Sequence, residues 1–240
     1  MLKHTHTHIF YTNKNRNILS RSFWCKQLKS DQRIGPHTEQ IYSCMIGNIL
    51  GDGHLEYRSG STRLTLHVGL PNREYIAWLF SLYVNNGYCT NKELEFKKRI
   101  GKNNKIHFTT KIITYSFKSF NWLHNVFYQP QYNEINEVLY YKKIIPNNIK
   151  DYLTPQAIAI WIMDDGSRQN SGITIHTNSF TLEENYLLQA AFLERYNIKT
   201  TLHKKGLNYI MYFSLKEAQL LKKIIEPYMH KSMLYKIQNS

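Results

Sequence analysis

The chain has 240 residues, 42% hydrophobic and 14% aromatic, which allows one large domain or two small ones with a sizeable core and excludes a disordered chain. Lysine and arginine number 31 against 17 aspartates and glutamates, a formal charge of +14; a surplus of that size points to a polyanionic partner, nucleic acid first. No run of about eighteen apolar residues occurs, so no membrane-spanning helix is expected. The three cysteines, Cys25, Cys44 and Cys89, form no CxxC pair or His-spaced cluster, which argues against a disulfide framework or structural zinc and for a reducing compartment.

Residues 1–37 differ from the rest. They carry Lys3, Lys14, Arg16, Arg21, Lys26, Lys29 and Arg33 with Asp31 as the sole acid, and the alternating His4, His6 and His8. This basic extension is expected to be flexible, and it reads either as an organelle transit segment or as an arm on nucleic acid. After Gly35-Pro36 the chain becomes periodic. A helix is predicted from Thr38, as N-cap, to Asp52. A hairpin follows, with polar and apolar residues alternating on Arg63-Leu64-Thr65-Leu66-His67-Val68. Asn72 opens a helix through Tyr75, Ile76, Leu79 and Phe80. A second hairpin turns around Gly101-Lys102-Asn103-Asn104, alternating again on Lys105-Ile106-His107-Phe108-Thr109. Helical patterns are predicted over 119–127 and 134–142.

The plan then repeats. Thr154-Pro155 is an N-cap with proline at the first helical position, and the helix runs through Ile158, Trp161 and Ile162 to Asp164-Asp165-Gly166. Ile173-Thr174-Ile175-His176 alternates as a strand, Thr181 and Glu184 form a capping box, and a helix follows through Leu187, Leu188, Ala191 and Phe192. A hairpin turns near Lys204-Lys205-Gly206, a last helix spans about 216–228, and a tail holds Lys236. The order helix–Asp–Gly–hairpin–helix–hairpin–helix thus occurs twice, which suggests a pseudo-two-fold molecule. The expected fold is α/β (α+β): two αββαββα halves, residues 38–143 and 154–240, joined by a linker at 144–153.

Each half places an acid where a mostly apolar helix ends: Asp52 after Met45–Gly51, and Asp165 after Ile158–Asp164. A carboxylate is unfavourable at a helix C-terminus, whose macrodipole is already negative. Doing this twice points to something positive at both ends, and a divalent cation held by Asp52 and Asp165 would serve. The free carbonyls of the last turn, at Gly51 and Asp164, are candidate further ligands. Gly47 and Gly51, spaced i, i+4, would let two such helices approach closely.

These two segments resemble the paired signature motifs of the LAGLIDADG homing endonucleases, in the single-chain intron-encoded type with two motifs. The likeness covers about residues 39–240. The first motif keeps Gly47, Gly51, Asp52 and Gly53; the second keeps Ala159, Asp165 and Gly166, with Ile160 and Asp164 where the first has Gly47 and Gly51. Lys142-Lys143-Ile144-Ile145-Pro146-Asn147-Asn148 with Tyr152-Leu153-Thr154-Pro155 resembles the segment leading into the second motif, and Lys231–Lys236 the C-terminal segment. The resemblance implies that Asp52 and Asp165 bind metal and that Lys143 and Lys236 are active-site lysines. It also implies a monomer that cuts both strands of a long asymmetric DNA site, intron homing, and expression in a mitochondrion or plastid. Magnesium is the expected ion, with manganese a substitute and calcium binding without supporting cleavage. The rival expectation is a maturase that binds host intron RNA and assists splicing without cutting DNA; a third is a DNA-binding protein with a degenerate site.

In the nuclease reading the hairpins form antiparallel sheets whose open faces make a DNA saddle. Outward strand positions are the candidates for base contacts: Arg63, Thr65, His67, Lys105, His107, Thr174, His176 and Lys204, with Arg168 close behind the second acid. Lys97, Lys98, Arg99 and Lys102 are expected on phosphates.

Overall fold

The computed structural model describes residues 27–35, 37–101, 104–169 and 172–238. His4, His6, His8 and most cations of the N-terminal extension, Cys25, and Lys102 lie outside the described residues.

Helix α1 (Glu39–Leu50) starts on the Thr38 hydroxyl, which accepts from the Ile41 N–H. Its burial extends nearly all round, from Ile41 to Leu50, because it lies at the centre of the molecule. Strands β1 (Gly53–Arg58) and β2 (Ser61–Gly69) form the first hairpin, α2 (Arg73–Asn85) follows, and β3 (Lys97–Ile100) and β4 (Ile106–Ile113) form the second. Helix α3 (Asn121–Phe127) closes the first half. The second half repeats the order: α5 (Pro155–Asp165), β7 (Gly166–Gln169), β8 (Gly172–Ile175), α6 (Leu182–Tyr196), β9 (Thr201–Lys205), β10 (Asn208–Phe213) and α7 (Leu215–Ile225). The sheets have matching orders, β1-β2-β4-β3 and β7-β8-β10-β9, so the expected pair of αββαββα halves is what the chain builds. The two caps read in the second half are also present: Thr154 accepts from the Ala157 N–H at 3.1 Å, and Thr181 and Glu184 bond reciprocally.

One expectation needs correction, and two segments prove more closely packed than their place in the chain suggests. Residues 134–142 are not helical. Asn133 accepts from the Ile135 and Glu137 N–H groups, Asn136 is left-handed at φ 62°, and the chain reverses into β6 (Val138–Lys143), paired with β5 (Tyr128–Tyr132). The β-branched and aromatic run Val138-Leu139-Tyr140-Tyr141 outweighs the apparent helical spacing. The linker is part of the core: Ile145, Ile149 and Leu153 are buried around the short helix α4 (Ile149–Tyr152). The tail is likewise folded, since Lys231–Lys236 forms a 3-10 turn that buries Met233 and Lys236.

The end of the extension also docks. Arg33 donates to the Ser116 carbonyl at 2.7 Å and lies over the Tyr115 ring, while His37 bridges Tyr88 and Ser119.

Candidate active site

Helices α1 and α5 pack directly on each other at the centre of the molecule. A Cβ added to Gly47 would lie 2.5 Å from the Ala157 carbonyl oxygen and 2.6 Å from Ile160 Cβ, and one added to Gly51 would lie 2.6 Å from Asp164 Cβ. The departure of the second motif from the first is thereby explained. Ile160 and Asp164 are the larger residues that fill the hollows left by Gly47 and Gly51, so the interface is complementary although its sequence is not symmetric.

This packing brings the C-terminal ends of both helices together and sets Asp52 and Asp165 near one another. Both carboxyls titrate above the usual carboxylate range. Loss of solvation is the main cause for each, and the charge on Asp52 raises Asp165 further, to about 7. Neither carboxylate accepts a hydrogen bond among the described residues.

Each lysine implied by the resemblance caps the motif helix of its own half. Lys143, at the end of β6, donates to the carbonyls of Gly51 at 3.2 Å and Gly53 at 2.8 Å. Lys236, 7% exposed, donates to Ile162 at 3.2 Å, Met163 at 2.6 Å and Asp164 at 3.2 Å. The ammonium groups thus meet the last-turn carbonyls and the negative end of the dipole. Across the interface, each acid feels the other half's lysine most strongly: Lys236 is the larger cationic influence on Asp52, and Lys143 on Asp165. Burial pulls the Lys143 ammonium down to about 8, against the upward influence of Asp165, Asp164 and Asp52.

The geometry revises the candidate ligand set. The carbonyls of Gly51 and Asp164, expected to face a cation, accept from lysine instead. The Asp164 carboxylate is turned into the helix interface, where Tyr75 donates at 2.7 Å and the Asn48 side-chain amide at 3.0 Å, and Tyr83 donates to Asn48 Oδ1 at 2.8 Å. Burial, then the charge of Asp52, raises Asp164 to about 8. Asp52 and Asp165 remain as the carboxylates open to an ion. Sequence reasoning missed Asn48, Tyr75 and Tyr83. Asn48 carried a signal, a wholly buried amide inside an apolar helix; the tyrosines carried none.

Strand register sorts the candidate contact residues. Turned away from the core are Arg63, His67, Arg99, His107 and, by alternation, Thr65, Thr174 and His176. Thr65 and Thr174 nonetheless differ from the wet positions expected: they are 2% and 1% exposed, donating to Glu56 and Gln169. Arg63 is ion-paired to Glu56 at 2.6 Å, and His176 lies 3.2 Å from the Ser167 hydroxyl. Lys98, Arg168 and Lys204 pair with Phe108, Ile173 and Tyr209, on the opposite face from these, and each is solvent-exposed there. Lys97 shares the open face, and Lys105 is exposed in the β3–β4 turn. Register adds His54, Lys111, Ser167, Gln169, His203 and Lys205 to the open faces, none of them singled out by pattern alone.

Two sheets flanking a helix pair whose ends converge on two acids define the architecture of a LAGLIDADG protein. The family model described as the LAGLIDADG DNA endonuclease family matches residues 42–221, and the chain belongs to that family. It is 34% identical over 234 residues to the cytochrome b mRNA maturase bI2 of Saccharomyces cerevisiae, a match that covers 95% of this chain and 54% of the yeast protein. It is 36% identical to the bI2 maturase of Debaryomyces hansenii, covering 91% of this chain and 85% of that protein. It is 34% identical to the intron-encoded endonuclease ai4 of Dictyostelium discoideum, covering 66% and 98%. The fold is that of the homing endonuclease I-WcaI, solved bound to its DNA recognition sequence, with a TM-score of 0.71 at 23% identity, covering 87% of this chain and 96% of that one.

Proposed function

We propose that this protein is a site-specific, magnesium-dependent DNA endonuclease that acts as a monomer and promotes homing of its intron. The observation that carries this reading is the pair Asp52 and Asp165, held together at the ends of packed helices without hydrogen-bond donors of their own among the described residues, while the last-turn carbonyls are taken by Lys143 and Lys236 and the Asp164 carboxylate by Tyr75 and Asn48. Two partly desolvated carboxylates of raised pKa, with open surface beside them, fit a hard divalent ion that keeps water and phosphate oxygens as its other ligands. No cluster of three or more His, Cys, Asp or Glu suited to a metal exists among the described residues, consistent with a site completed by substrate. Bound there, magnesium would neutralise the phosphate and lower the pKa of a water.

The chain's own groups do the rest. Asp52 and Asp165 orient that water and the phosphate from either side of the helix pair. Lys143 has two of its three N–H groups on carbonyls, leaving one for the developing charge on a phosphate oxygen or for the attacking water. The open sheet faces, with Arg63, His67, Arg99, Lys111 and His203, would follow the duplex. Similarity to proteins named for cytochrome b messenger supports expression in the mitochondrion.

The test is cleavage of supercoiled plasmid carrying the uninterrupted host-gene junction, with magnesium or EDTA. Magnesium-dependent linearisation is expected, lost in Asp52→Asn and in Asp165→Asn while DNA binding persists. Unchanged cutting by either variant would refute the assignment. A second reading, an RNA maturase assisting its own intron, is favoured by the names of the two bI2 relatives. Splicing of the host transcript, with Asp52→Asn alongside the native chain, separates the two, since RNA binding does not need paired carboxylates.

A further inference from the structure

The first half carries something the second does not show among the described residues: a latched segment over its outermost turn. Residues 29–33 cross the β1–β2 turn and are held by Arg33 on the Ser116 carbonyl and Tyr115 ring, by the Ser30 carbonyl accepting from the Lys118 N–H at 3.1 Å, and by Ser61 donating to the Ser30 hydroxyl at 2.8 Å. Between segment and turn is an open cavity of about 760 Å³ whose lining includes five cations and two acids. Glu56 is already neutralised by Arg63, Arg33 is committed to the latch, and Asp31, exposed on the lining, offsets one positive charge. Lys29, Arg58 and Lys118 remain: all three are exposed, and none of their side chains makes a hydrogen bond or ion pair among the described residues.

Bringing three uncommitted cations to one recess costs repulsion that an anion would remove. The position narrows the anion. Strand β1 begins beside Asp52 and ends at Arg58, and six residues of strand carry the turn about 20 Å from the acids, roughly six base pairs of duplex rise. Arg58 shares the face of Glu56 and Arg63 that is turned from the core. A duplex lying on that face would pass its backbone over the recess.

We propose that this recess is a phosphate-binding subsite for the backbone of duplex DNA at the outer end of the half-site held by the first half, with Lys29, Arg58 and Lys118 as its cations. This rests on the DNA-binding reading above and makes the footprint asymmetric: residues 29–33 extend one arm of the contact surface, with phosphate contact that positions without reading sequence.

The experiment uses the full chain with calcium and duplexes spanning the uninterrupted junction, each carrying one neutral methylphosphonate in place of a phosphate. Affinity is measured against the variant Lys29→Gln/Arg58→Gln/Lys118→Gln. In the native chain, neutral positions about six base pairs from the centre on one side should weaken binding several-fold. In the triple variant the same positions should have no effect, the salt slope should fall by about 2 to 3, and positions at the other end should behave as in the native chain. Identical interference profiles for the two proteins, or equal losses at both ends, would overturn the subsite. Absence of any duplex binding by the native chain would instead sink the nuclease reading, and the cleavage test reports that independently.

Discussion

The two lysines show how much a single residue carries here. Lys236 is buried and spends its ammonium on three carbonyls at the end of α5, so it holds the helix end that presents Asp165 as well as facing Asp52. Lys236→Met keeps the volume and removes the donors; the Ile162 carbonyl keeps the Gly166 N–H, while those of Met163 and Asp164 lose the lysine. It should cost about 1–3 kcal/mol of stability, read by urea denaturation, and depress cleavage by more than the folded fraction accounts for. Lys143→Met, with two bonds to replace, should cost less stability and as much rate. The acids set the pH dependence. Asp165, at about 7, and Asp164, at about 8, are raised in the folded chain. A raised carboxyl favours the protonated fold, so its contribution is present at low pH and is lost as pH rises through the folded value. An ion at Asp52 and Asp165 reverses that by requiring the ionised form. The rise in Tm produced by calcium should therefore grow between about pH 6 and pH 8, and Asp165→Asn should abolish the growth. A calcium effect independent of pH would argue against ion binding at these carboxylates.

At the scale of elements, the α1–α5 interface positions the chemistry. Its closeness rests on Gly47, whose added Cβ would meet backbone on the partner helix at 2.5 Å, and a carbonyl cannot swing aside as a side-chain tip does. Gly47→Ala must push the helices apart. It should destabilise by about 1–3 kcal/mol and reduce cleavage beyond its effect on folding, because both acids move. Gly206→Ala, at φ +65° with open space around it, should cost far less in cleavage, since that turn is far along the chain from the acids; equal losses for the two variants would mean that the helix contact does not govern the site. The β5–β6 hairpin makes a different point about legibility. Its helical reading failed because Val138-Leu139-Tyr140-Tyr141 satisfies either period over so short a span, and Asn133 and Asn136 settled the matter through a turn.

The whole molecule is a pseudo-dimer in one chain. Matching sheet orders give two open faces, and the sequence differences between halves, with the latched segment on the first, make those faces unequal. A chain with that surface should bind one duplex by itself. Its affinity should fall steeply with salt, the logarithmic slope reflecting roughly 0.9 per neutralised phosphate, and sedimentation of the complex should give a single chain per DNA. A flat salt dependence, or two chains per duplex, would contradict the arrangement.

The sequence by itself determined the repeated order of elements, the caps at Thr38, Thr154 and Thr181, and the acids at both motif ends. These are local matters of period, turn chemistry and helix polarity, all written within a few residues. Only the tertiary structure decided that Asp164 belongs to the helix interface, that the lysines occupy the last-turn carbonyls, and that Arg168 and Lys204 lie on the other face from Thr174. Those depend on which helix face meets which and on strand register, where a shift of one residue exchanges the faces of a strand. Contacts between groups 92 and 116 residues apart, such as Lys143 on Gly51 and Asn48 on Asp164, leave no periodic trace in the chain that makes them.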